Sequence, residues 1–304
     1  MSSAPLEVAR NRLERPIAEI SCEVDRQFDQ ILNVPSGGTG RLFHAMRYAA
    51  IGGGKRLRPL MATASGSLFE VPPGQSLRAG LAVECVHAHS LIHDDLPCMD
   101  DDDLRRGKPT VHIAFDEATA VLAGDALLAL AFEILSNPKT HPDAERRCEL
   151  AYELAQAAGA GGMAGGQMLD LLPQSSPSDL EAITRLQRLK TGALIGWAVE
   201  SGAILAHAPA GARLSLRGYA QSVGLAFQIA DDLLDIAGDE KVAGKKLRKD
   251  ELQGKQTFVS LLGEQRARRQ AAMLVDQAIE HLRDFGHRAE LMIAIAQFAI
   301  HRDR

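Results

Sequence analysis

The chain reads as an all-α protein: one domain over residues 1–304, a bundle of roughly ten or more helices around a deep central cavity. Three observations carry that expectation. Alanine and leucine dominate while aromatic residues make up only 4%, and alternating β-branched runs are scarce, which favours helix throughout. Glycine- and proline-rich breakers punctuate the chain, and none is long or polar enough to be an interdomain linker. Two helical segments each run an apolar stripe into a cluster of aspartates.

Taken in order, the N-terminal MSSAPLEVARNRLERPIAEI carries charges where a secretion signal needs an apolar run, so a cytoplasmic protein is expected. Breaks follow at NVPSGGTG (33–40), GGGKRLRP (52–59) and VPPG (71–74). The first of the two helices then runs from about Leu77, with Val83, Val86 and Ser90 leading to Asp94 on one face. Thr119–Leu135 is apolar but short for a membrane span, and Asp125 interrupts it. It reads as a core helix, with no integral membrane segment expected. Further breaks fall at SNPKTHPD (136–143), LPQSSPSD (172–179) and HAPAG (207–211). The second helix covers about Arg213–Asp235, where Tyr219, Val223, Phe227, Asp231 and Asp235 recur every four residues. A carboxylate that continues a core-facing stripe must be paired, metal-bound or at a cavity mouth. Both helices therefore point to one apolar cavity with acid at its opening.

Composition excludes several classes. With 34 basic against 39 acidic residues, no global field attracts nucleic acid, and none is expected as a partner. The four cysteines are scattered and form no CxxC, so neither a disulfide framework nor a zinc site is expected. HExxH is absent, and DDDDLRRG lacks the alternation of an EF-hand loop.

The stretch LIHDDLPCMDDDDLRRGKPT (91–110) holds six aspartates followed by three basic residues. Hard divalent cations take oxygen ligands, and magnesium binds through a few carboxylates plus substrate phosphates. Asp94, Asp95 and Asp100 suit such a site, as do Asp231 and Asp235, four residues apart on a helix. Asp102 and Asp103 read as solvated or as partners of the arginines. Lys55, Arg56 and Arg58 follow three glycines, where backbone amides and side chains can surround an anion, although GxxxxGK[ST] is absent. Arg105, Arg106, Lys190, Lys245 and Lys255 complete the basic groups. Together they suggest two phosphate-bearing ligands, one bridged by metal and one held by cations directly.

DDLPCMD (Asp94–Asp100) resembles the first aspartate-rich motif, DDxxxxD, of the trans-isoprenyl diphosphate synthases, or polyprenyl synthetases, and DDLLD (Asp231–Asp235) resembles their second, DDxxD. GGGKRLRP, LRRGKPTVH, KTG (190–192) and GKQTF (254–258) match in the same order, so the likeness covers nearly the whole chain, most of all to the bacterial farnesyl diphosphate synthases. The resemblance implies the isoprenoid synthase fold, a homodimer, and up to three Mg2+ ions, with Mn2+ able to substitute. It also implies condensation of isopentenyl diphosphate with an allylic diphosphate. By that likeness Asp94, Asp100 and Asp231 are the principal metal ligands, supported by Asp95, Asp101 and Asp235. Arg105, Lys190 and Lys255 hold the allylic diphosphate with Lys245 nearby, while Lys55, Arg58, His87 and Arg106 hold isopentenyl diphosphate. Thr191 and Gln228 lie beside the reacting carbons.

Chain length is expected to be set one turn before Asp94, at His89 and Ser90. Related farnesyl synthases tend to carry an aromatic at the position of His89, and geranylgeranyl synthases something smaller or more flexible. A planar imidazole points to a C15 product, with C20 the alternative. A terpene cyclase is disfavoured by the second diphosphate set, and a non-catalytic partner subunit by the two intact aspartate motifs.

Overall fold

The computed structural model describes residues 4–172, 180–237 and 256–300, and every long element among them is a helix. In order they are α1 (Ala4–Ile31), α2 (Gly40–Ala50), α3 (Leu57–Leu68), α4 (Pro73–Asp94), α5 (Val111–Ala114), α6 (Glu117–Ser136) and α7 (Ala144–Ala158). Next come α8 (Met163–Leu171), α9 (Leu180–Gln187), a π-helical turn (Arg188–Gly192), α10 (Ala193–Leu205) and α11 (Ala210–Ala237). The chain ends with α12 (Phe258–Leu262), α13 (Glu264–His281), a 3-10 turn (Arg283–Ala289) and α14 (Glu290–Ala299). The all-α expectation holds, and the described glycine- and proline-rich segments fall at helix termini or between helices, while residues 173–179 of LPQSSPSD lie outside the described residues. Pro73 opens α4 at the position where a missing N–H costs nothing.

The core sits between α3, α4, α6, α10 and α11. Helices α3 and α10 cross so closely that a Cβ on Gly202 would lie 2.4 Å from the Gly66 nitrogen, so only glycine fits there. At the same crossing the Ser65 hydroxyl donates to the Val199 carbonyl. Buried polar tips find partners: Tyr219 donates to the Met292 carbonyl at 2.7 Å, and the Trp197 indole to the Leu150 carbonyl at 3.1 Å. Helix α6 is the one described helix long and apolar enough to cross a membrane, yet 44% of its apolar window is buried, much of it against α4. Its other side exposes Val121 and Leu122.

One element departs from the helical reading. Leu104–Arg105 and Lys108–Pro109 pair as an antiparallel hairpin, with Arg106 and Gly107 at its turn. Both turn residues have positive φ, 54° and 74°, the pattern of a tight two-residue turn. The hairpin sends two adjacent arginines to different partners.

Candidate active site

Helix α4 ends at Asp94, and the chain then folds back on it. The Asp100 N–H donates to the Asp94 carbonyl at 2.8 Å, the Asp102 N–H to the Asp95 carbonyl at 3.3 Å, and Asp101 takes a left-handed φ of 51°. This loop brings the first and last aspartates of DDLPCMD to the same helix end. Burial raises the Asp94 pKa to about 6; Asp100 and Asp95 add to the rise, while Lys190 and Arg105 oppose it. Asp95 is buried, and the Arg105 guanidinium grips it with Nε at 2.7 and 2.9 Å from its two oxygens. Burial raises the Asp95 pKa as well, against the pull of Arg105.

The second cluster lies near the end of α11. Tyr219 and Val223 are fully buried, Phe227 is half-buried, and Asp231 and Asp235 continue the run half-buried. Asp232, between them, faces inward and accepts from the Phe258 N–H at 2.8 Å and from Gln228 Nε2 at 3.2 Å. That orients the Gln228 amide, whose Oε1 accepts from the Thr191 hydroxyl at 3.4 Å. Among the described residues, no three aspartates of the two motifs bring oxygens within 4.8 Å of one another.

The basic residues form two groups. In the first, the Arg106 guanidinium lies against the glycine loop, so closely that a Cβ on Gly53 or Gly54 would approach it to 2.7 or 2.6 Å. Arg58 and His87 adjoin it. Burial pushes the Arg58 pKa down, with Arg106 adding and Glu84 and Asp231 opposing, and Arg58 Nε is buried without a hydrogen-bond partner. His87 falls well below the ordinary histidine range through burial and the charges of Arg58, Arg106, Arg105 and Arg56. Lys55 sits with its ammonium 5.0 Å from the centre of the Phe298 ring. Arg56 is turned away from this group, bound to Glu84 and Asp25 at 2.7 Å each.

Lys190 heads the second group, on the π-helical turn, where an extra residue per turn bulges the backbone. Its ammonium pairs with Asp170 at 2.7 Å. Lys245 and Lys255 lie outside the described residues.

A cavity of about 440 Å3 lies between the end of α4, Arg58 and the π-helical turn, and neither Asp231 nor Asp235 lines it. Arg58, His87, Asp94, Lys190 and Thr191 line it, with Met163, Met168 and Leu171 giving it apolar walls. His89 and Ser90, the residues expected to set chain length, line it too, and so does His93. The Ser90 hydroxyl is tied back to the His87 carbonyl at 2.9 Å.

Sequence reasoning missed Asp170, Gln167 and Asp232. The first two sit in MAGGQMLDL, where polar groups in an otherwise apolar helix were the available signal. Gln167 is buried with Nε2 unpartnered and lines the cavity. Asp232 was hidden inside DDLLD, whose regular spacing drew attention to its neighbours.

The family model for polyprenyl synthetase matches residues 40–297. The chain is 46% identical to the farnesyl diphosphate synthase of Escherichia coli, over 85% of this chain and 88% of that one. It is 40% identical to the geranylgeranyl diphosphate synthase of Cyanophora paradoxa, over 89% and 91%. A crystal structure of an FPP/GFPP synthase from Zymomonas mobilis superposes with a TM-score of 0.88 at 53% identity, covering 96% of this chain and 99% of that one.

Proposed function

Because the chain belongs to the polyprenyl synthetase family, we propose that it makes farnesyl diphosphate by joining isopentenyl diphosphate to dimethylallyl and then geranyl diphosphate. The enzyme is a prenyltransferase acting on isoprenoid diphosphates. The observation that carries the detailed reading is the presence of two anion-directed groups on one apolar cavity. Asp94 with Lys190 forms one and Arg58 with His87 the other.

The oxygen donors suit a hard divalent cation: Asp94 is desolvated beside Asp100, a repulsion that a cation relieves. Asp94, Asp100 and Asp231 would hold Mg2+, up to three ions, with Asp95, Asp101 and Asp235 in support. Bound metal supplies charge that neutralises the diphosphate leaving group. Lys190 would leave Asp170 to meet the allylic diphosphate, with Arg105 held ready by Asp95 and Lys255 and Lys245 assigned by sequence alone. Lys55, Arg58, His87 and Arg106 would hold isopentenyl diphosphate. An unpartnered Arg58 Nε and a neutral imidazole beside arginines both suit an incoming anion.

The allylic C–O bond breaks as pyrophosphate departs. The double bond of isopentenyl diphosphate supplies the electrons for the new C–C bond, and the proton released passes to pyrophosphate. Thr191 and Gln228 present oxygens that stabilise the developing cation, while the apolar walls exclude water that would quench it. We read the chain as one domain, cytoplasmic and homodimeric, with the exposed Ile113, Val121 and Leu122 of α5 and α6 as the pairing face.

Incubation with each allylic primer, isopentenyl diphosphate and Mg2+, followed by mass analysis of the dephosphorylated products, tests this reading. C15 alcohol is expected. No elongation with any primer would overturn the function, and dominant C20 alcohol would favour the geranylgeranyl alternative, which the Cyanophora relative supports. His89→Ala should lengthen the product by opening the cavity wall, and an unchanged product would move the stop to another side chain.

A further inference from the structure

His89 and His93 lie one turn apart on α4, at the i, i+4 spacing that puts two imidazoles on one helix face. Their rings meet edge to face with centroids 4.5 Å apart. Across from them, α6 contributes Asp125, whose Oδ1 is 4.0 Å from His93 Nε2. One ligand atom from each of the three residues falls within 4.8 Å of the other two, the one such trio among the described residues. Gly124 makes the approach possible: a Cβ there would stand 2.2 Å from His93 Nε2.

We propose that His89, His93 and Asp125 bind a borderline-soft divalent cation of the Zn2+ or Co2+ type, at a site chemically separate from the aspartate motifs. Two imidazoles and one carboxylate, with a fourth position open, form a donor set for such ions, whereas the all-oxygen motifs suit Mg2+. His89 has one ring nitrogen to spare. Its ring hydrogen-bonds the Gly124 backbone, while buried Nδ1 has no hydrogen-bond partner. One ring nitrogen anchored to a carbonyl and the other left open is the usual arrangement of a metal-binding histidine. A buried nitrogen without a hydrogen-bond partner is costly, and a metal bond would offset that cost. Burial and His93 both lower the His89 pKa, so the ring stays neutral and its lone pair available.

Tetrahedral coordination at 2.0–2.1 Å needs donors roughly 3.3 Å apart, so the trio must close slightly. Asp125 is 62% exposed and can swing inward. His93 would exchange its contact with the Val121 carbonyl, 3.1 Å away, for the metal. Because His89 and His93 line the cavity, the ion would fix its wall beside the substrate tail.

Titration of untagged, full-length protein with Co2+ under excess Mg2+, followed by visible absorption, tests the site. The strong band of four-coordinate Co2+ should saturate at one equivalent per chain, disappear on Zn2+ addition, and persist in Asp231→Ala. It should be absent in His89→Phe, and Asp125→Asn should weaken Co2+ binding at least about tenfold. Asp125 is exposed, so that variant folds whatever its effect on binding. A band that survives His89→Phe, or one that vanishes in Asp231→Ala, would overturn the proposal. No product analysis enters this test, so its failure leaves the prenyltransferase reading untouched.

Discussion

Asp94 shows how much a single carboxylate can report about the site. Its pKa is 3.8 when unperturbed and about 6 in the folded chain, raised first by burial. Between those values the folded chain keeps a proton that the unfolded chain has released. The stability linked to this group is therefore complete below pH 3.8 and lost as pH rises through about 6. In metal-free protein, Asp94→Asn should gain on the wild type by roughly 1–3 kcal/mol between about pH 4 and about pH 7.5, measured by urea unfolding. A pH-independent difference would mean a solvated carboxylate. If Asp94 and Asp231 hold the metal as proposed, Asp94→Ala and Asp231→Ala should each slow the reaction in turnover assays by orders of magnitude with helicity intact, since neither removes core packing. Near-full activity in either would refute its metal role. These aspartates were legible because apolar stripes seldom end in acid. Asp170 was not, because its importance lies in a partner twenty positions away, Lys190.

At the scale of elements, the π-helical turn and α8 act as one unit. Gly166 lets them touch: a Cβ there would lie 2.2 Å from the Lys190 nitrogen, which is backbone and cannot step aside. Gly166→Ala should cost about 1–3 kcal/mol and at least about tenfold in turnover by displacing Lys190. Gly196→Ala is the control, since its Cβ would meet nothing within 4 Å. There a small stabilisation, about 0.5–1 kcal/mol, is expected from thermal unfolding. Equal losses in both variants would detach the turn from catalysis. The sequence marked LKTG as an interruption but not its kind, because a π-turn is stabilised by what packs on it. The hairpin at Leu104–Pro109 escaped for a similar reason: two-residue strands have no readable period.

For the whole molecule, the unpaired side of α6 is the feature with consequences. Leu122 is 57% exposed and Val121 40%, on a helix whose opposite side is core. If this face joins two copies, Leu122→Glu should convert a dimer to a monomer in sedimentation analysis. A variant that sediments as the wild type would place the interface elsewhere. By itself the sequence determined that the chain is helical, where most helices stop, and that α4 carries its apolar face into an aspartate at a cavity. Those properties follow from residue type and short spacing, which the backbone converts directly into faces and ends. Only the tertiary structure decided the pairings: Arg105 with Asp95, Arg106 on the glycine loop, Arg56 with Glu84 and Asp25, Lys190 with Asp170. It also set His89 and His93 opposite Asp125. Such contacts depend on how helices cross, and long-range packing leaves no periodic mark in the chain.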